Sequence, residues 1–370
     1  MTKRFDQIIV GGGVMGASIS YELSKRGYQV LLLEENTIAA EASSAAAGML
    51  GVQMEFEADS PLFRFAKESR ALFPRLAKEL LEESGIDIQL IEKGALKLVY
   101  HQDEIDALKR IASFQTQQRV EAKVISPATI PEKELANDFY AALYCPTEGQ
   151  VSAPHLTKAF AKAAEHHGAV IMEQTKVHDI LSENGQVTGV KTAGKAYTAD
   201  RVIMTCGFKS SQFPQYIKQF TPVKGECLSV ITEKPLIQST IFTEGCYLVP
   251  KRGNRIIIGA TSKPNQTDKD VKVASVLHLL SRAKQILPAL NKATIEKVWA
   301  GVRPLTKDGF PYLGEVPDVS GLYVATGHYR NGILLAPRTA TFMADIVEGK
   351  QVDPSYLATF SLKRASLISV

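Results

Sequence analysis

The sequence predicts an α/β fold, α+β overall, in which a Rossmann-like domain is interleaved with a second domain built on a mainly antiparallel sheet. Three observations predict it. The chain opens with strand, glycine-rich turn, helix and strand, the order of a dinucleotide-binding βαβ unit. Strands alternate with helices near both ends, and longer antiparallel-looking pieces lie between them. With 370 residues, 45% hydrophobic and 22% charged, the chain is long enough for two globular domains.

Residues 5–10 read as a short buried strand, and Gly11, Gly13 and Gly16 complete the pattern G-x-G-x-x-G. One glycine makes the tight turn, one lets the backbone approach a pyrophosphate, and one lets helix and strand pack closely. Residues 17–26 read as the helix, Gly27 closes it, and residues 29–33 form the second strand. A pyrophosphate is favoured at the helix N-terminus by free N–H groups and the helix dipole. Glu34 ends the second strand, where an acid hydrogen-bonds a ribose hydroxyl. The unit alone does not separate NAD from FAD, but its terminal acid argues against NADP. The small residues of 43–51 let a backbone approach a flat ligand. Their other reading is an N-cap at Ser43 or Ser44 leading into an alanine-rich helix.

Residues 62–83 predict an amphipathic helix with Leu62, Phe65, Leu72, Leu76 and Leu80 on one stripe. Pro74 is expected to kink or divide it, and Gly85 to end it. Strands follow at 87–90 and 95–100, short helices at 103–114 and 131–136, and a strand at 140–145. A helix at 154–167 and a strand at 169–173 precede a hairpin, 177–182 and 187–192, turned at Asn184-Gly185. The strand at 201–205 marks a return to the first domain. Strands at 247–250 and 255–260, a helix at 270–287 and a strand at 294–300 come next. The last strand, 322–326, feeds a turn at 327–332 and a closing helix at 333–348.

Composition excludes several classes. The net charge of +4 is spread out with no long basic run, so nothing points to nucleic acid. Cys145, Cys206, Cys227 and Cys246 are far apart, with no C-x-x-C pair, so no zinc or redox motif is written and no metal is expected. The N-terminus is a glycine-punctuated strand interrupted by Asp6, not a signal peptide. No apolar run approaches the ~20 residues of a membrane span. A soluble cytoplasmic protein is expected.

The segments GGGVMG, SSAAAGML, PVKGECLSV, WAGVRPLTKDGFPYLG and VATGHYRNGILLAP form an ordered set. Together they resemble the FAD-dependent D-amino acid oxidase superfamily, and within it the bacterial glycine oxidases of thiamine biosynthesis. The resemblance runs from about Phe5 to Ala336. It implies noncovalent FAD, a discontinuous FAD-binding domain (1–85, 150–226 and 303–370) and a substrate domain (86–149 and 227–302). It implies oxidative deamination of a small amino acid substrate with oxygen: glycine to glyoxylate, ammonia and hydrogen peroxide. Sarcosine and small D-amino acids are further substrates, and a homo-oligomer, often a tetramer, is implied. A sarcosine oxidase, a D-amino acid dehydrogenase or a non-catalytic nucleotide-binding module stand as alternatives.

The resemblance also assigns roles. Gly11, Gly13, Val14, Met15 and Gly16 would hold the pyrophosphate, and Glu34 with Glu35 the adenosine ribose. Ser43, Ser44, Ala47, Gly48 and Met49 would line the flavin, with Val177 on the adenine side. His328, Tyr329, Arg330, Asn331, Gly332, Ile333 and Leu334 would wrap the ring's pyrimidine edge. Tyr247, Arg303 and Arg330 would bind the substrate carboxylate. An arginine fork offers a carboxylate two parallel charge-assisted hydrogen bonds, and a tyrosine adds a third donor. Hydride transfer then needs no protein acid or base, and none is assigned. N–H groups of the turn 327–332 would face the negative charge of a reduced flavin. Gly245 stands where a relative carries histidine and Ser262 where a methionine packs, so both change the expected wall of the site. Lys224 and Glu226 of PVKGE are placed near its rim without a role.

Overall fold

In a computed structural model, residues 4–217 and 220–367 are described, and they build two sheets. The first is centred on the Arg4–Val10 strand. Val30–Leu33 and Ala196–Met204 flank it, Val170–Met172 lies beyond the former, and Leu322–Thr326 beyond the latter. All of these pair in parallel, in registers such as Val10 with Leu33 and Val10 with Met204. Tyr312–Glu315 closes one edge antiparallel. The expected hairpin forms from Val177–Glu183 and Gln186–Thr192 and joins Ala196–Met204. Its Asn184 and Gly185 have φ of 50° and 76°, as a two-residue turn of this hand requires.

Side chains alternate across the parallel strands. Ile9 and Leu32 pack among the helices Val14–Lys25, Pro61–Ser84, Ala153–His166 and Gly332–Val347. Ile8, Val10, Leu31 and Leu33 face the hairpin side. Burial of each such large apolar side chain contributes roughly 1.5–3 kcal/mol. The helix Pro61–Ser84 starts at Ser60, whose side chain accepts from Phe63 N–H, and ends at left-handed Gly85. It is not divided at Pro74. That residue lies on the exposed face, where its ring meets no packed neighbour and the carbonyl that loses its helical donor is open to solvation.

The second sheet runs Lys263–Pro264, Phe220–Ile231, Arg255–Gly259, Cys246–Lys251, Thr240–Thr243, Ala95–Val99, Ala141–Cys145 and Lys123–Ile125. Its pairs are antiparallel except Thr240–Thr243 with Ala95–Val99. Thr294–Thr306 pairs with Phe220–Ile231 along its length, from Phe220 with Thr306 to Ile231 with Thr294. These two strands pass through residues 226 and 303, where the sequence expectation changes domain. Residues 1–3, 218–219 and 368–370 of the expected FAD-binding segments lie outside the described residues.

Two expected elements do not form. Residues 87–90 are irregular, with only Ile91 bridging to Gln150. Residues 131–136 are turns and not a helix, because the buried carboxylate of Glu132 accepts from the N–H groups of Gln238 and Ser239 and pins the segment there. The helix after Glu41 is the single turn Ala42–Ala45, with Ser43 inside it and not at its cap.

Candidate active site

The carboxyl ends of the parallel strands open onto a cleft of about 430 Å³ that continues to the antiparallel sheet. This is where an open parallel sheet binds ligands. At the first end lies the glycine turn. Gly11 has φ of +111°, and a Cβ there would stand 2.8 Å from the Thr205 carbonyl oxygen. Thr205 Oγ1 lies 2.9 Å from the carbonyl oxygens of both Val10 and Gly11, which fixes the turn. Gly13 precedes the helix Val14–Lys25, whose first turn holds no acidic residue and whose opening faces the cleft. Ser43 Oγ accepts from Val14 N–H at 2.8 Å, joining the small-residue segment to that helix start.

Glu34 is 8% exposed. Its Oε2 accepts from Gly12 N–H at 2.6 Å and its Oε1 from Asn36 N–H at 2.8 Å. The carboxylate therefore shapes the glycine turn and keeps lone pairs free for ribose hydroxyls. Glu35 pairs with Lys209, whose ammonium also lies 3.5 Å from Glu41.

The wall between the two sheets is built from Ala45, Ala46, Ala47, Gly48 and Met49. Gly48 has φ of +82°, and a Cβ there would fall 1.9 Å from the Val151 carbonyl oxygen. Ala45 touches the Thr294–Thr306 strand: its carbonyl accepts from Trp299 Nε1 at 2.9 Å, and a Cβ on Gly301 would stand 2.4 Å from its own Cβ.

Arg303 and Arg330 come from distant parts of the chain. Arg303 is on Thr294–Thr306, and Arg330 is in the turn before the helix Gly332–Val347. An antiparallel bridge between Leu305 and His328 and a bond from Tyr329 N–H to the Pro304 carbonyl (3.2 Å) hold that turn against the strand. The Arg303 guanidinium lies over Gly225, where a Cβ would stand 2.3 Å from both Nη atoms, and Nη1 donates weakly to the Thr261 carbonyl at 3.4 Å. The Tyr247 ring lies across Gly259, where a Cβ would stand 2.5 Å from its hydroxyl. Arg330 stacks over the Tyr329 ring, 5.2 Å from its centroid.

Beneath Arg303 the buried Lys224 and Glu226 have found partners. Lys224 pairs with Asp268, and Glu226 Oε2 pairs with Lys263 at 2.7 Å. Glu226 also accepts from Thr261 Oγ1 and Lys272 N–H. Burial opposes its charge, but these bonds bring the carboxyl down to about 2. The network fixes Thr261, whose carbonyl meets Arg303. His328 is 5% exposed with Nε2 3.2 Å from Thr339 Oγ1, and burial lowers its pKa to about 3, so it is a neutral packed histidine. Cys206, Cys227 and Cys246 line the cleft; burial raises all three thiols, Cys206 and Cys246 to about 12, and they stay protonated.

Most of the residues expected from the sequence meet in this cleft: Gly11, Gly13, Val14, Met15, Glu34 and Glu35, then Ser43, Ala47, Gly48, Met49 and Val177. Tyr247, Arg303, His328, Tyr329, Arg330, Asn331, Gly332 and Ile333 line its other part, as do Gly245 and Ser262. Three stand outside it. Gly16 packs the helix on the strand, since a Cβ there would fall 1.9 Å from the Gly11 carbonyl oxygen. Ser44 is exposed and donates to the Glu41 carbonyl. Leu334 is buried in the helical core. Glu55, Thr205, Cys206, Lys209, Phe242 and Thr261 line the cleft without having been singled out. Cys206 had a signal, since it follows the expected strand 201–205 at its carboxyl end; Glu55 and Phe242 had none.

A glycine turn at a helix start, a ribose-height acid and a wall too tight for side chains fit an extended dinucleotide with a flat ring. No group of three or more metal-binding side chains occurs among the described residues.

Comparison with known proteins agrees. The family described as FAD dependent oxidoreductase matches residues 6–346. The glycine oxidase of Geobacillus kaustophilus (strain HTA426) is 46% identical over 98% of both chains. A crystal structure of glycine oxidase from Geobacillus kaustophilus matches with a TM-score of 0.94 and 45% identity, covering 98% of this chain and 99% of that one. A bifunctional protein ThiO/ThiG of Trichormus variabilis is 33% identical over 94% of this chain and 53% of its own length.

Proposed function

The chain belongs to the FAD dependent oxidoreductase family, and on that premise we propose that it oxidises glycine: glycine, oxygen and water give glyoxylate, ammonia and hydrogen peroxide. The observation that carries this reading is the convergence of Arg303, Arg330 and Tyr247 on the cleft that begins at Gly11 and Glu34. The similarity to glycine oxidases supports it.

The residues divide the work simply. A guanidinium fork binds the substrate carboxylate through two parallel charge-assisted bonds. Burial raises the Tyr247 hydroxyl well above its usual range, so it stays protonated and donates. Anchoring the carboxylate sets the direction of the α-carbon. FAD, when bound, would supply the hydride acceptor for that carbon and the route of the electrons to oxygen. Because the hydrogen leaves with its electron pair, no side chain has to remove a proton from carbon. The helix Gly332–Val347 has no acid in its first turn and begins at the cleft, so its N-terminus favours developing negative charge there. We assign the dinucleotide to 1–85, 150–226 and 303–370, and the substrate to 86–149 and 227–302, with two of the boundaries inside paired strands.

Sarcosine and small D-amino acids share the carboxylate and a hydrogen on the α-carbon, and belong to the same proposal. So does a homo-oligomer, a tetramer by family likeness, acting in the cytoplasm. Among the described residues no helix is long and apolar enough to cross a membrane. A place in thiazole formation for thiamine is in keeping with the ThiO/ThiG relative.

The test is oxygen uptake and peroxide release by the FAD-loaded protein with glycine, sarcosine, D-alanine and D-proline, set against dye reduction without oxygen. Dye reduction with no oxygen uptake would instead mark a dehydrogenase. A second test exploits Gly225. A Gly225→Ala methyl displaces the Arg303 guanidinium at little cost to the fold, because the atoms it meets end a flexible side chain. The glycine KM is expected to rise about tenfold, about 1.4 kcal/mol of binding, with the melting temperature shifted by only a few degrees. Steady-state kinetics and a thermal melt check it; an unaltered KM would detach Arg303 from the substrate.

A further inference from the structure

Four carboxylates line the cleft: Glu34, Glu35, Glu41 and Glu55. Three are engaged. Glu34 holds the N–H groups of Gly12 and Asn36, Glu35 pairs with Lys209, and Glu41 pairs with Lys269 at 2.7 Å. Glu55, the last residue of the one-turn helix Val52–Glu55, is different. Its carboxylate forms no hydrogen bond or ion pair among the described residues, and the residue is exposed on the cleft wall. Although its surface is open to the cleft, the protein mass around it partly desolvates the carboxyl and raises it, while the positive fields of Arg330, Lys97 and Arg303 oppose that rise. Lys97 has its own partner, Glu57, at 3.1 Å.

The charged groups of the substrate end are therefore two guanidiniums and one carboxylate. Tyr247 and His328 are neutral, and Lys224, Glu226, Lys263 and Asp268 are paired with one another below. The balance is one net positive charge, which matches an amino acid with one carboxylate and a neutral amine, the form that releases a hydride.

We infer that Glu55 is a specificity-determining residue: it sets the substrate end for monocarboxylate amino acids and disfavours those carrying a second acidic group. This rests on the reading of Arg303 and Arg330 as the carboxylate site. In a partly enclosed site a like charge several ångströms away disfavours a ligand by an order of magnitude or more. Removing Glu55 leaves two positive charges and favours a dianion.

The test compares the FAD-loaded wild type, Glu55→Gln and Glu55→Asp. Binding of acetate and malonate is read from the flavin absorbance, which needs no turnover. Relative kcat/KM for iminodiacetate against sarcosine is measured beside it. In Glu55→Gln both the malonate-to-acetate and the iminodiacetate-to-sarcosine ratios are expected to rise about tenfold, while Glu55→Asp keeps the wild-type ratios. Unchanged ratios in Glu55→Gln, or an equal rise in Glu55→Asp, would overturn the inference. If the wild type binds acetate but oxidises neither glycine nor sarcosine, the oxidase reading fails while the ligand ratio still decides the role of Glu55. If the wild type binds neither anion, the carboxylate site and this inference fall together.

Discussion

Arg303→Ala is expected to raise the KM for glycine by tens-fold or more while the protein still purifies yellow. A charged contact to a carboxylate at a desolvated site is worth on the order of 2–5 kcal/mol, and each 1.4 kcal/mol is about a factor of ten. The structure explains why the loss should be confined to substrate. Within the protein, the Arg303 guanidinium makes one long bond to the Thr261 carbonyl and rests on Gly225. Removing it breaks no network that holds the glycine turn or the small-residue wall. Arg303→Lys is expected to recover little, because an ammonium supplies a point charge without the fork. Steady-state kinetics with flavin content measured on the same preparation decide the matter. Flavin-free protein that still bound glycine normally would refute the assignment.

Gly16→Ala should act at the opposite end of the cleft and leave the protein without its cofactor. Gly16 does not line the cleft, yet its missing side chain sets the distance between the helix Val14–Lys25 and the Arg4–Val10 strand. A methyl there would fall 1.9 Å from the Gly11 carbonyl oxygen and 2.7 Å from Thr205 Oγ1. These are backbone and anchored groups that cannot swing aside, so the helix start must move away from the turn. Overpacking of this kind costs about 1–3 kcal/mol in stability. It also misplaces the N–H groups proposed to meet the pyrophosphate. The ratio of flavin to protein absorbance is expected to fall at least about tenfold. Gly194→Ala, where a methyl meets nothing within 4 Å, should retain FAD. Retention of FAD by Gly16→Ala would mean that close helix–strand packing is not what holds the dinucleotide.

The βαβ opening was legible because its signals are local: strand, glycine turn, helix and terminal acid follow within thirty-four residues. The hairpin at Asn184-Gly185 was legible for the same reason. The division expected at Pro74 did not occur, although the apolar stripe itself places Pro74 on the outer face, where a helix tolerates proline best. Residues 131–136 misled because the carboxylate of Glu132 finds its partners at Gln238 and Ser239, over a hundred residues away. The site was readable where residues belong to motifs with a turn or a helix start, as Gly11 and Arg330 do. It was unreadable at Glu55, which reaches the cleft only because the segment after Gly48 is laid against residues 148–151 by paired backbone. The long pairing of Phe220–Ile231 with Thr294–Thr306 was likewise hidden, since its partners are some seventy residues apart. That pairing carries Gly225 and Arg303 to the same place.

The three thiols in the cleft wall have a bearing on how long such a catalyst lasts. Hydrogen peroxide would be released into the cleft that Cys206, Cys227 and Cys246 line. Sulfur is oxidised by peroxide as the thiolate, and exposure speeds the attack. Enclosure keeps each of these sulfurs protonated, so the product meets them in their least reactive form. The same apolar surroundings that shape the cavity would thus slow oxidation of the protein by its own product.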